Sequence, residues 1–161
     1  MIGVGDRLPD ATLLWKGDDG PEEVPLGPKL AGRKVILFAV PGAFTPTCSS
    51  AHLPSFIRTA DALREGGVDE IICVSVNDVH VMRLWAEQSG AMEAGITMLA
   101  DGDGAFTQSL GLSYSNPVAG MMDRSRRYAM VVEDGVVTVF HLEEPGVCAT
   151  STGEAMLAAL G

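Results

Sequence analysis

Two apolar segments decide the fold of this chain: VILFAV at residues 35–40 and IICVSV at residues 71–76. Both are short, continuous and rich in β-branched and aliphatic residues, as is typical of strands buried on both faces of a parallel sheet. The residues between them predict a helix over 45–65, which ends at Gly66 and Gly67. A strand, a helix and a strand of these lengths predict a right-handed βαβ unit.

The rest of the chain extends this unit into a mixed sheet. Asp134 and Gly135 favour the positive φ angles of a tight hairpin turn, which makes the strands on either side antiparallel neighbours. The sequence therefore predicts an α/β, thioredoxin-like fold with a mixed central sheet flanked by helices on both faces. The further predicted elements are a helix between a cap at Asn77 and Asp78 and an end at Gly90, a strand at 96–100, hairpin strands at 128–132 and 136–140, and a helix at 154–160.

Size and composition bound the classes of protein. A chain of 161 residues is expected to form one domain, residues 1–161. With 47% hydrophobic and 20% charged residues, its composition is that of an ordinary globular protein. Eleven Lys and Arg against 21 Asp and Glu give a net charge of −10, which disfavours binding to nucleic acid or to an anionic membrane surface.

Location is predicted from the N-terminal residues and the cysteines. No basic segment followed by an apolar one is visible at the N-terminus, and the longest apolar run is too short to span a bilayer. Cys48, Cys73 and Cys148 are too few, and odd in number, for a secreted disulfide framework. We expect a soluble, cytoplasmic protein with reduced thiols.

The segment VPGAFTPTCS, residues 40–49, leaves a buried strand and enters a helix, where open α/β sheets tend to place their sites. Thr45 is the expected N-cap and Pro46 the first helical residue, which puts Cys48 in the first turn. There the free N–H groups and the helix dipole favour the thiolate. A small buried hydrophobic side chain is the alternative interpretation of Cys48. Pro54 is expected to kink the helix.

No C-x-x-C motif is present, because Thr45 stands where its first cysteine would be. A dithiol exchanger is therefore disfavoured. The pattern Pro41-x-x-x-Thr45-x-x-Cys48 resembles the active-site motif of the peroxiredoxins. The longer string, followed by HLP at residues 52–54, resembles the type II, peroxiredoxin-five-like subfamily. The similarity continues through GDRLPD at 5–10, IICVSVND at 71–78 and RRYAMVVEDG at 126–135.

The resemblance implies a peroxidase that reduces hydrogen peroxide and organic hydroperoxides. Cys48 would attack the peroxide and become a sulfenic acid, with Thr45 and Arg127 supplying hydrogen bonds and Pro41 shielding the sulfur from water. Strand register leaves open whether Arg126 or Arg127 faces inward, and the resemblance favours Arg127. The family implies a homodimer and no cofactor, and the sequence has no metal-ligand spacing. His52, one turn after Cys48, is interpreted as a supporting residue outside the catalytic set.

Three routes would return the sulfenic acid to a thiol. Cys148 resembles the resolving cysteine of the animal-like members, and would lead to reduction by thioredoxin. Cys73 is better interpreted as a buried core thiol. Direct resolution by glutathione and glutaredoxin, as in bacterial-looking members, is the route we favour.

The sequence also leaves open two other functions and leads to one hypothesis on specificity. A Cys-His hydrolase would need His80 or His141 as its base, and a non-catalytic redox sensor would use Cys48 as a switch. Residues 116–122, NPVAGMM, place small side chains where the family has a bulky wall. This departure predicts a wider pocket that accepts bulkier hydroperoxides.

Overall fold

The computed structural model describes residues 1–161 and contains a central mixed sheet of seven strands. Its strand order is β2-β1-β5-β4-β3-β8-β9. A separate hairpin, β6–β7, lies outside this sheet. The strands are β1 (Thr12–Gly17), β2 (Gly20–Pro25), β3 (Lys34–Ala39), β4 (Glu70–Ser75), β5 (Thr97–Ala100), β6 (Ser113–Asn116), β7 (Met121–Ser125), β8 (Tyr128–Glu133) and β9 (Val136–Leu142).

Helices cover both faces of the sheet, as predicted. Phe56, Trp85 and Met156, from three different helices, pack together into one core cluster. Leu26 and Phe106, from two others, belong to the cluster on the opposite face. The helices are α1 (Leu26–Leu30), α2 (Leu53–Glu65), α3 (Val79–Ser89), α4 (Ala105–Ser109) and α5 (Gly153–Ala159).

The predicted strand–helix–strand unit is confirmed. β3 and β4 are parallel neighbours in register, with Phe38 opposite Cys73. The late hairpin is confirmed as well: Asp134 and Gly135 have φ angles of 49° and 80° between the antiparallel strands β8 and β9. Asp78 caps α3 by accepting a hydrogen bond from the Val81 N–H at 3.0 Å.

The helix after β3 contains a turn that the sequence analysis did not predict. It is helical from Pro46 onwards, but residues Cys48–His52 form a π-helical turn before α2 begins. The amide of Leu53 donates to the carbonyl of Cys48, five residues back. Pro54 has no N–H to donate and its ring crowds the preceding turn, and the wider turn accommodates both effects.

None of the helices combines the length and the apolar character that a membrane span requires. No group of three or more His, Cys, Asp or Glu side chains is arranged to hold a metal ion.

Candidate active site

The loop from β3 into the helix is held by hydrogen bonds on both sides of a strained turn. Phe44 has a φ of 64°, which is unusual for a bulky residue. The N–H of Ala43 donates to Asn77 Oδ1 at 3.0 Å, and Thr45 Oγ1 donates to the carbonyl of Gly42 at 2.7 Å. Thr45 is thus the residue before the helix, as predicted. Its hydroxyl, however, donates a hydrogen bond within the loop and does not accept one from an N–H group of the helix.

Cys48 lies in the first turn of this helix with its side chain fully buried in the core. Its sulfur accepts a hydrogen bond from Nη2 of Arg127 at 3.3 Å. The N–H groups of Thr47 and Cys48, at the positive end of the helix, donate to no protein acceptor. The sulfur therefore has a cationic hydrogen-bond donor, and two unpaired amides lie in the same turn of the helix.

Arg127 is itself buried, with 6% of its surface exposed, and His52 holds it in place. Nη1 of Arg127 lies 3.0 Å from Nδ1 of His52, and Nε2 of His52 lies 2.9 Å from the carbonyl of Ser151. A guanidinium only donates and a carbonyl only accepts, so His52 is neutral and carries its proton on Nε2. Burial, together with the charge of Arg127, lowers the pKa of His52 to about 3.

Glu143, at the end of β9, fixes the loop that presents the Ser151 carbonyl. Its carboxylate accepts hydrogen bonds from the amides of Ala149, Thr150 and Ser151 and from the hydroxyls of Thr150 and Ser151. Burial raises the pKa of this carboxyl, but the hydrogen bonds from Ser151, Ala149 and Thr150 outweigh it and bring the pKa to about 2.

A cavity of about 380 Å³ opens in front of this network. That volume suits a small organic ligand. Pro41, Thr45 and Arg127 line it, while Cys48 does not, so the sulfur lies just behind the wall that these residues form. On the other side the wall comes from the β6–β7 hairpin and from the segment after β9, through Tyr114, Asn116, Ala119, Met121, Glu144, Pro145 and Gly146.

The other cysteines are free thiols in contrasting places. Cys73, on the central strand β4, is fully buried, and this burial raises its pKa well above the usual value. Cys148 is half-buried in the segment that Glu143 fixes, and burial raises its pKa too. Both thiols are therefore poor nucleophiles in this conformation, because only the thiolate attacks.

The structure brings together four residues that the sequence analysis singled out: Pro41, Thr45, Cys48 and Arg127. It places Arg126 half-buried beside the cavity, with Nη2 donating to the carbonyl of Glu143 at 3.1 Å. Sequence reasoning missed Glu143 and Ser151, because a Glu-Glu-Pro-Gly stretch carries no signal beyond that of a solvated loop.

The Cys-His hydrolase hypothesis is not supported by this geometry. The hydrogen-bond partner of the Cys48 sulfur is a guanidinium, which cannot accept the thiol proton. His52 offers no free nitrogen, since Arg127 and Ser151 occupy both. His141 contacts the Thr150 carbonyl, and His80 lies exposed on α3.

The chain is similar to known proteins over nearly its whole length. The redoxin family model matches residues 3–157. The chain is 51% identical to the chloroplastic peroxiredoxin-2E-2 of Oryza sativa, over 99% of this chain and 72% of that protein. It is 46% identical to peroxiredoxin-2C of the same organism, over 99% and 98%. Among solved structures, reduced Prx3 of Vibrio vulnificus in complex with hydrogen peroxide is 48% identical, covers 100% of both chains and superposes with a TM-score of 0.94.

Proposed function

We propose that Cys48 is the peroxidatic nucleophile of this chain, which belongs to the redoxin family. Within that family the chain is a type II peroxiredoxin and hence a thiol peroxidase. The observation that carries the proposal is the 3.3 Å hydrogen bond from Arg127 to the Cys48 sulfur beside the cavity. Neither of the other cysteines has a cationic donor on its sulfur.

Arg127 is suited to bind the peroxide as well as the sulfur. Its Nε–H is buried and has no hydrogen-bond partner in the protein. An unpaired buried donor is unfavourable, so a peroxide oxygen that accepts from it gains binding energy. The free amides of Thr47 and Cys48 offer further donors. Pro41 and Thr45, on the cavity wall, limit the access of water to the sulfur.

The proposed reaction needs no cofactor, because the sulfur of Cys48 itself supplies the two electrons that reduce the peroxide. The Cys48 thiolate attacks one peroxide oxygen, the O–O bond breaks, and the sulfur is oxidised to a sulfenic acid. The other oxygen leaves as an alkoxide or hydroxide, takes up a proton and departs as alcohol or water. The donors around Arg127 stabilise the negative charge that develops on this leaving oxygen.

We propose glutathione, with glutaredoxin, as the reductant. Glutathione attacks the sulfenic acid, water leaves, and the mixed disulfide on Cys48 is then reduced by a glutaredoxin thiol. The cavity offers both charges that a zwitterionic tripeptide needs: Arg126 for a carboxylate and Glu144 for the ammonium group. Neither residue is engaged in an ion pair.

The second candidate is a two-cysteine cycle with Cys148 as the resolving residue and thioredoxin as the reductant. Its support is the position of Cys148 beside the active site, in the segment just after the cavity residues Pro145 and Gly146. Against it stand the raised pKa of the Cys148 thiol and the carboxylate of Glu143, which holds the residues that follow Cys148. Cys73 is not proposed to resolve, because it is fully buried in the central strand β4.

We further propose that the protein is a homodimer whose interface lies around the cavity. Four large apolar side chains are unusually exposed there: Phe44, Val118, Met122 and Val147, at 46%, 100%, 55% and 44%. Each is adjacent in sequence to a residue that lines the cavity. Exposed apolar residues grouped in this way favour association. Light scattering tests the dimer, and Val118→Asp is expected to shift it to the monomer.

We also propose a cytoplasmic location for the protein. All three cysteines are free thiols, and glutathione is abundant in reducing compartments.

Steady-state peroxide consumption tests the proposed cycle. Cys48→Ser is expected to abolish turnover with every reductant, whereas Cys148→Ser and Cys73→Ser retain turnover with glutathione and glutaredoxin. Loss of turnover in Cys148→Ser, with thioredoxin active in the wild type, would establish the two-cysteine cycle instead. Oxidation of Cys48 without turnover by any thiol reductant would favour a redox sensor.

A further inference from the structure

The carboxylate of Glu143 accepts five hydrogen bonds from residues 149–151. Its Oε2 accepts from the amides of Ala149, Thr150 and Ser151 at 2.6, 3.0 and 3.0 Å and from the Ser151 hydroxyl at 2.8 Å. The Thr150 hydroxyl donates to Oε1 at 3.0 Å. Glu143 is 4% exposed, and no Lys or Arg side chain forms an ion pair with it. Backbone amides therefore balance its charge.

This arrangement fixes the direction of one carbonyl group. With the amide of Ser151 tied to Glu143, the carbonyl of the same residue lies 2.9 Å from Nε2 of His52. On the other side of the loop the Gly153 amide donates to Ser55 Oγ at 2.9 Å, so the loop is anchored at both ends. The Ser151 carbonyl therefore has little freedom to turn away from His52.

The carbonyl in turn selects the tautomer of His52. An acceptor at Nε2 keeps the proton there and leaves Nδ1 as a lone pair, to which Nη1 of Arg127 donates at 3.0 Å. The opposite tautomer would aim an N–H at the guanidinium and push it away. Because the guanidinium is planar and rigid, the bond from Nη1 also sets where Nη2 points, and Nη2 donates to Cys48.

We propose that Glu143 is a positioning residue for the peroxide reaction, acting through the Ser151 carbonyl and the tautomer of His52 to hold Arg127 against the Cys48 sulfur. Glu143 lines the cavity but forms no hydrogen bond with the Cys48 sulfur, and its proposed effect reaches the sulfur through this chain of hydrogen bonds. The inference rests on the proposed role of Cys48 and Arg127.

The first test is the second-order rate constant for oxidation of Cys48 by hydrogen peroxide in a single turnover, which requires no reductant. Glu143→Gln removes the negative charge on which the donors converge, and we expect the rate constant to fall about 10- to 100-fold, as misplaced reacting groups commonly do. Ser151→Ala removes one donor and keeps the carbonyl, so we expect a smaller fall of about 2- to 5-fold.

A matched control separates positioning from loss of stability. Glu70 is also a mostly buried carboxylate, which accepts from Lys29, Arg33 and Thr97 at 2.8, 2.8 and 2.6 Å. No hydrogen bond links these residues to Arg127. Glu70→Gln is therefore expected to destabilise the fold while leaving the oxidation rate constant unchanged. Equal falls in Glu70→Gln and Glu143→Gln would overturn the proposal.

The ¹⁵N spectrum of the ring nitrogens of His52 supplies a readout that a merely structural role would not move. The wild-type protein is expected to show a neutral ring with the proton on Nε2, and Glu143→Gln a mixture of tautomers. A proton on Nδ1 in the wild type would overturn the proposal even if Glu143→Gln does not fold.

Arg127→Gln separates a failure of the proposed role of Arg127 from a failure of the proposed role of Glu143. If this variant oxidises at the wild-type rate, the proposed function of Arg127 fails. If Arg127→Gln is slow but Glu143→Gln and Ser151→Ala are both as fast as the wild type, only the role of Glu143 fails.

Discussion

Nη2 of Arg127 lies 3.3 Å from the sulfur of Cys48, although 79 positions separate the two residues in the chain. The contact forms because the helix that follows β3 meets the residue just before β8. β8 pairs antiparallel with β3, which brings the two residues to the same end of the sheet. The helix that follows β3 thus supplies the sulfur, and the residue just before the neighbouring strand β8 supplies the guanidinium.

Replacing Arg127 tests whether this contact serves the reaction. Arg127→Gln keeps a polar side chain but loses the charge and the paired donors, and we expect the rate constant for Cys48 oxidation to fall about 10²- to 10³-fold, the usual effect of removing a transition-state donor. Stopped-flow competition against a second peroxidase measures it. Arg83→Gln, at an exposed ion pair on α3, is the control and is expected to be unaffected. Equal rates in the wild type and Arg127→Gln would contradict the assignment.

The wall of the cavity predicts which peroxides react. Ala119 and Met121 line a cavity of about 380 Å³, with Tyr114 as its aromatic residue. We expect cumene hydroperoxide and hydrogen peroxide to have kcat/KM values within about tenfold of each other, a difference typical of apolar pockets.

Ala119→Phe is the matching variant for this specificity. It is expected to slow cumene hydroperoxide and to leave hydrogen peroxide nearly unchanged. A strong preference of the wild type for hydrogen peroxide would refute the wide pocket.

The buried His52 makes stability depend on pH. Its pKa in the fold is about 3, lowered first by burial and then by the charge of Arg127, against about 6.5 in the unfolded chain. Its contribution to stability is complete above pH ~6.5 and is lost as the pH falls towards 3, because only the unfolded chain takes up the proton there.

Urea unfolding between pH 6.5 and 4.5 measures this dependence. We expect a fall in the free energy of unfolding approaching ~1.4 kcal/mol per pH unit in the lower part of this range. His52→Gln, which cannot titrate, is expected to reduce the slope. An unchanged slope in His52→Gln would show that another group is responsible.

Gly153 tests the packing that anchors the loop before α5. A Cβ at this position would meet Thr59 Oγ1 and the backbone carbonyl of Ser55 on α2. Gly153→Ala is therefore expected to destabilise the protein by about 1–3 kcal/mol, as overpacking does. Gly27→Ala, whose Cβ would lie 3.9 Å from its nearest neighbour, is the control. Similar unfolding midpoints for the two variants would contradict the close approach.

The sequence predicted the central part of the fold because its strands bury both faces. Val35, Ile36 and Ile71 belong to continuous apolar runs, and the Asp134-Gly135 turn has a local conformational reason. The β1–β2 hairpin was missed because the apolar residues of β1 do not alternate strictly and β2, GPEEVP, is mostly exposed. The hairpin β6–β7 was missed for a similar reason: its burial is slight and its register is irregular.

For the site, local spacing predicted Thr45 and Cys48 and the family resemblance supplied Arg127, whereas Glu143 and Ser151, which act through long-range contacts, were missed. Thr45 and Cys48 stand three positions apart, whereas the link between Glu143 and Arg127 passes through Ser151 and His52. No periodicity connects these four residues. The π-helical turn was also missed, because its cause lies in how the backbone relieves the crowding by Pro54.

Intact-protein mass spectrometry after one equivalent of hydrogen peroxide shows whether Cys48 is the residue that peroxide oxidises. The reduced chain is treated, trapped at once with a sulfenic-acid reagent and digested to locate the label. We predict the gain of one oxygen before trapping and, because the reagent replaces that oxygen, a label on Cys48 and none on Cys73 or Cys148 after trapping. A loss of two hydrogens mapped to a Cys48–Cys148 disulfide would replace glutathione with an intramolecular cycle, and an unchanged mass would contradict the assignment of Cys48 as the residue that reduces peroxide.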